Sequence, residues 1–165
     1  IAVYAPSKTF NLAGLVGSYH IVYCSYLRDR LRKQSALSHY NSINVLSMHA
    51  LLGAYQPEGF IWMQELRSVL TENARYVYSY IKENFPGVDV SMPQGTYMIF
   101  LDCEEWCEIN NSSMDQLLRA GIEAGVIWQD GRPFHHPWGI RMNLALPHSL
   151  VVEAMDRLKK YVFCG

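Results

Sequence analysis

The stretch Ala5-Pro6-Ser7-Lys8-Thr9-Phe10-Asn11-Leu12-Ala13-Gly14-Leu15 sets a single lysine between an apolar run and a glycine-bearing turn. The residues before it, Ile1-Ala2-Val3-Tyr4, are β-prone, and Pro6 ends that strand because it has no amide hydrogen to donate. A lysine just past the end of a buried strand loses solvation and presents a neutral amine, which forms Schiff bases with carbonyl compounds. The same position also suits a solvated surface lysine, and spacing alone leaves both readings open.

Outward from this stretch the chain alternates strand and helix signals. Residues 18–23 are rich in β-branched and aromatic side chains and predict a strand, and residues 27–34 a short basic helix. Asn41 or Ser42 caps a further helix whose Val45, Leu46, Met48 or His49, Leu52 and Tyr55 recur at helical spacing and predict burial. Pro57 suits a first helical position, and Phe60, Met63, Leu66, Leu70, Ala74, Val77 and Ile81 mark one face of a long helix that Pro86-Gly87 stops. Strands follow at 88–91 and 96–101, then a capping box from Ser113 to Gln116 opening a helix that Gly125 ends. Strands at 126–129 and 140–144 and a last helix from Pro147, with Leu150, Val151, Ala154, Leu158 and Val162 inward, complete a compact αβ unit.

At 165 residues, half of them apolar, the chain is long enough for a sizeable core. A net charge of -1 with scattered Lys and Arg offers no basic face for nucleic acid and no polybasic membrane anchor. Its apolar runs are too short to span a bilayer. Cys24, Cys103, Cys107 and Cys164 form no CxxC pair, so the reading is reduced thiols in a cytoplasmic protein and no metal site. His135-His136 lies in a proline-rich loop without the further ligands an ion needs.

The run from Ser7 to Tyr19 resembles the cofactor-lysine segment of fold-type I pyridoxal-phosphate enzymes, above all the MalY/PatB branch: the cystathionine β-lyase, or C-S lyase, relatives of class I/II aminotransferases. The resemblance continues through Tyr40-Asn41-Ser42-Ile43-Asn44-Val45-Leu46-Ser47, Gly53-Ala54-Tyr55, Gly95-Thr96-Tyr97, Trp128-Gln129-Asp130-Gly131 and Ile140-Arg141-Met142-Asn143-Leu144-Ala145. It implies an α/β fold, the C-terminal portion of the aspartate-aminotransferase-like architecture. Residues 1–56 would be the end of the large cofactor domain, 57–85 the connecting long helix and 86–165 the small αβ domain. It also implies that the chain, which opens on Ile1, is a fragment of a longer enzyme that works as a homodimer.

By that resemblance Lys8 holds pyridoxal 5'-phosphate and acts as general base on the substrate α-proton. Ser7 and Thr9 either contact the phosphate or shape the turn. Many aminotransferases place a serine three residues before the lysine and an arginine eight after it, both on the phosphate; here Ala5 and Val16 stand there, which favours a lyase. Arg141, between Ile140 and Met142 in an apolar strand, needs an anionic partner. That partner is either an internal acid or, as the resemblance implies, the substrate α-carboxylate. Asn143 satisfies backbone near Arg141, and Trp128 and Trp138 either wall a substrate entrance or fill the core. The implied reaction is β-elimination of a thiol from cystathionine or another cysteine S-conjugate, giving pyruvate and ammonia. A class I/II aminotransferase, or a non-catalytic remnant, are the alternatives.

Overall fold

The β-prone N-terminus finds a single partner in the computed structural model, which describes residues 1–38 and 42–163. β1 (Ala2–Tyr4) pairs antiparallel with β2 (Tyr19–Ile21), Val3 opposite His20, and no third strand joins them among the described residues. The expected burial of this strand is therefore not found: Ile1 and Val3 are exposed, and so is Lys8. The chain divides into two compact units, Ile1–Leu66 and Arg67–Gly165. The parts of the sequence reading that fall on Tyr40, Asn41 and Cys164 lie outside the described residues.

In the first unit, α1 (Ser25–Ser38) runs longer than the sequence predicts, since no Gly or Pro interrupts it. α2 (Val45–Ala54) is capped by Asn44 rather than by Ser42: the Asn44 side chain accepts the Ser47 amide at 2.8 Å. The expectation that α2 is buried fails. Only Ser47 is buried, while Val45, Leu46, Met48 and Leu52 are exposed. A helix apolar on every side reads as a core helix, but burial needs covering elements, and two short strands and α1 do not supply them. α3 (Pro57–Asn84) begins at the predicted proline and crosses the division between the units. Its expected stripe is buried at Ala74, Val77 and Ile81, whereas Phe60 is exposed.

The second unit is an antiparallel four-stranded sheet in the order β3 (Asp89–Val90), β4 (Met98–Asp102), β6 (Gly139–Asn143), β5 (Gln129–Asp130). Alternation along β4 and β6 puts Ile99, Leu101, Ile140 and Met142 into the core. There they join Val77 and Ile81 of α3, Leu117 of α5 (Met114–Glu123), and Val151, Met155 and Leu158 of α6 (His148–Tyr161). The Ser113–Gln116 capping box forms in both directions, and Gly125, at φ 78°, follows the C-terminus of α5 as the sequence predicts.

Three details depart from the sequence reading. α4 (Glu104–Ile109) was not expected; it is acidic, buries only Cys107 and starts where the Asp102 carboxylate accepts the Glu104 amide at 3.0 Å. β5 begins later than 126, because the Val126 amide bonds the Gly121 carbonyl at 2.8 Å and Trp128 turns inward, its Nε1 donating to the Leu118 carbonyl at 3.1 Å. Trp128 thus fills core rather than lining an entrance. In α6, Met155 takes an inward place and Leu150 is exposed.

Asn73 is fully buried on α3, and its Nδ2 donates to the carbonyls of both Leu144 and Leu146 at 2.9 Å. Its Oδ1 lies 2.9 Å from His148 Nδ1. One amide thus fixes the crossover from β6 to α6. Asn73→Ala leaves two carbonyls without a donor and is expected to cost about 2–4 kcal/mol, seen as a lower denaturation midpoint at unchanged slope. Burial first, then Cys107 and Asp102, push the Cys103 thiol far above the ordinary thiol range. A thiol reagent on the native chain is expected to label exposed Cys24 and spare Cys103 and Cys107 until denaturant is added.

Candidate active site

The side chains that the sequence singles out fall into two groups, one in each unit. In the first, residues 6–10 wind into a tight turn: the Phe10 amide bonds the Pro6 carbonyl at 2.9 Å and the Leu12 amide the Ser7 carbonyl at 3.1 Å. Lys8 sits at the crest. Among the described residues its ammonium has no hydrogen-bond or ion-pair partner, and the Ser7 and Thr9 hydroxyls are equally uncommitted. The turn thus brings the three predicted residues together with their polar ends free.

Phe10, which the sequence reading did not single out, holds the turn in place. It is buried, with its ring centroid 5.4 Å from Tyr55, 6.4 Å from Phe60 and 6.4 Å from Trp62, on which it stacks. Tyr55 accepts a hydrogen bond from the Tyr19 hydroxyl at 3.1 Å, and Tyr19 stacks on Tyr4 of β1. That bond with Tyr55 is the main cause of the upward shift of the Tyr19 phenol. Downstream, the Leu15 carbonyl accepts from Ser47 Oγ and from Asn44 Nδ2, so the N-terminus of α2 grips the far end of the lysine segment. The Asn44-x-x-Ser47 spacing is the sequence signal for this grip. Val16 is 84% exposed in a left-handed conformation, φ 48°, and offers no charge to an anion.

In the second unit the pleat of β6 turns Arg141 to the face opposite the core, directly across from Phe100 of β4 and Gln129 of β5. Arg141 has no salt bridge among the described residues, so the internal-acid reading finds no partner there. Its guanidinium carbon lies 4.7 Å from the centroid of the Phe134 ring. The loop bearing Phe134 is tied down at both ends. Arg132 donates to both oxygens of Asp130, at 3.0 and 2.8 Å, and to Asp115 at 2.6 Å, and the bonds from Arg132 hold the Asp130 carboxyl below its usual range. His136 Nε2 lies 3.3 Å from Asp102. Asn143 Oδ1 accepts the Ala145 amide at 2.8 Å, the backbone role expected of it. Among the described residues no group of three or more His, Cys, Asp or Glu is placed to hold a metal ion, and no helix is long and apolar enough to cross a membrane.

Residues 1–158 match the family described as aminotransferase class I and II. The chain belongs to that family. Among its members, the protein MalY of Escherichia coli K12 is 31% identical over 161 residues, 92% of this chain and 39% of MalY. The cystathionine beta-lyase PatB of Bacillus subtilis is 25% identical over 158 residues, 94% of this chain and 40% of PatB. Cystalysin from Treponema denticola, whose structure contains a pyridoxal 5'-phosphate cofactor, superposes with a TM-score of 0.82 at 27% identity, covering 96% of this chain and 40% of cystalysin. The PLP-bound C-S lyase from Staphylococcus hominis gives 0.81 at 26% identity, with 95% of this chain and 40% of that one covered. The fold is thus the α/β fold of PLP fold-type I enzymes, and the chain spans about two fifths of the length of the relatives it matches.

Since Phe10 is the apolar anchor of the lysine turn, Phe10→Ala is expected to cost about 3–5 kcal/mol, and Phe10→Leu clearly less. Limited proteolysis read by mass spectrometry is expected to show new cleavage within residues 6–16 in the alanine variant.

Proposed function

We propose that this chain is the part of a pyridoxal-phosphate C-S β-lyase that carries the cofactor lysine and the carboxylate-binding arginine. The supporting observation is the pinned turn that presents Lys8 with an unpartnered side chain, in a chain similar to MalY, PatB, cystalysin and a C-S lyase. Its residues fit the cofactor. An uncommitted amine suits the aldehyde carbon, and the free Ser7 and Thr9 hydroxyls suit phosphate oxygens. Val16 leaves that phosphate without a guanidinium from this segment, which separates the chain from the aminotransferase pattern and favours the lyase.

Pyridoxal phosphate, when bound, supplies an electron sink for the substrate α-carbon. Lys8 would hold the cofactor and, as a free amine, would take the substrate α-proton. Arg141 would pair edge-on with the substrate α-carboxylate and so orient it. The net reaction consumes one water and converts a cysteine S-conjugate such as cystathionine into a free thiol, pyruvate and ammonia. Within this reading residues 1–56 end the cofactor domain, 57–85 connect, 86–165 form the small domain, and the enzyme acts as a cytoplasmic homodimer.

The chain is incubated with pyridoxal phosphate, reduced with borohydride and digested, and mass spectrometry locates the adduct. The expected result is saturable labelling of the peptide bearing Lys8, and none at that site in Lys8→Ala. Equal labelling of other lysines, with none at Lys8, overturns the cofactor role. For the reaction, thiol and pyruvate released from cystathionine mark the lyase. Conversion of a 2-oxo acid to an amino acid without thiol release marks an aminotransferase.

A further inference from the structure

The proposal that Arg141 takes a carboxylate leaves open what holds its long side chain in one orientation before the ligand arrives. An arginine used for recognition is usually fixed by a neighbouring acid, which also consumes its N–H donors. Here no acid among the described residues reaches the guanidinium. The contact it makes is with the face of Phe134, 4.7 Å from ring centroid to guanidinium carbon.

The geometry points to Phe134 as the positioning residue for Arg141, an inference that rests on the carboxylate-binding role proposed for that arginine. A guanidinium carries all its N–H bonds in one plane and has a flat face above and below. A ring under one face holds the group by cation–π attraction and spends none of the donors, leaving the edge for a planar carboxylate to meet in a two-point pair. An acidic partner would fix the side chain equally well and leave it neutralised.

The ring is itself fixed. Phe134 meets Phe100 edge-on, with centroids 6.5 Å apart and planes at 84°, and Phe100 lies opposite Arg141 in the β4–β6 register. Phe100 in turn packs against the His136 ring at 5.5 Å, and His136 Nε2 reaches the Asp102 carboxylate at 3.3 Å. His136 Nδ1 is buried without a hydrogen-bond partner among the described residues, so the ring is held by the Asp102 contact and by packing. Gly139 belongs to the same arrangement: a Cβ there would run into the Phe100 ring and the His136 side chain. Asp102, His136, Phe100 and Phe134 thus form a continuous chain of contacts from the end of β4 to the Arg141 guanidinium.

The seat makes Phe134 a determinant of carboxylate affinity without touching the ligand. The test uses the full chain without cofactor, with propionate as the probe, and reads the Arg141 Nε–Hε signal by NMR against Arg141→Lys for assignment. In the native chain that signal is expected upfield, from the ring current of Phe134, and to move saturably with propionate. Phe134→Leu is expected to remove the upfield shift and weaken the apparent propionate affinity about tenfold. Phe134→Tyr, which keeps a ring face, is expected to stay within about twofold. Phe134 is 49% exposed, so the leucine variant keeps the core, and unchanged methyl signals of Ile99 and Ile140 verify this. Equal propionate affinity in the native chain and Phe134→Leu overturns the seat and leaves the arginine's role standing. No propionate response of the Arg141 signal in the native chain overturns the carboxylate role, and the seat with it.

Discussion

The pleat of β6 is the constraint on which the second unit depends. Ile140 and Met142 are buried against α3, α5 and α6, and a strand cannot bury two alternate residues without turning the one between them outward. Arg141 is therefore presented on the open face by the same packing that builds the core. A slip of one residue in the β4–β6 register would bury the guanidinium and expose two apolar side chains. The cost of that exchange keeps the arginine in place. The buried amide of Asn73 secures the end of this strand, where the chain leaves β6 for α6.

The lysine segment is built on a different principle. The first unit buries few side chains among its described residues, and no strand covers Lys8. Order there comes from local hydrogen bonds within residues 6–12, from one aromatic anchor, Phe10, and from the N-terminus of α2 gripping the Leu15 carbonyl. Such a turn fixes the backbone of the lysine while leaving its side chain exposed. Two residues of the same segment, Asn11 and Val16, take left-handed conformations, so the turn stores strain around the lysine.

Much of this was legible in the residues. The capping box at Ser113, the glycine after α5, the start of α3 at Pro57 and the stripe Ala74, Val77, Ile81 are local codes, each set by a few side chains acting on their own backbone. The Lys8 and Arg141 motifs were equally legible, because they lie in short stretches whose residue types resemble those of a known family. Burial was not. The reading that α2 is a core helix and that Lys8 follows a buried strand took apolar composition for coverage.

The sequence by itself determined most of the elements, some of their ends and the family, since propensity, capping and motif spacing are properties of neighbouring residues. Tertiary structure alone decided that most of α2 is exposed, that Phe10 anchors the lysine turn, and that Arg141 rests on an aromatic face with no acid beside it among the described residues. Those facts join residues far apart in the chain, such as Phe10 with Trp62, Asn73 with Leu146 and Asp102 with His136. No local pattern encodes such pairs, because their energy exists only once the strands and helices have met.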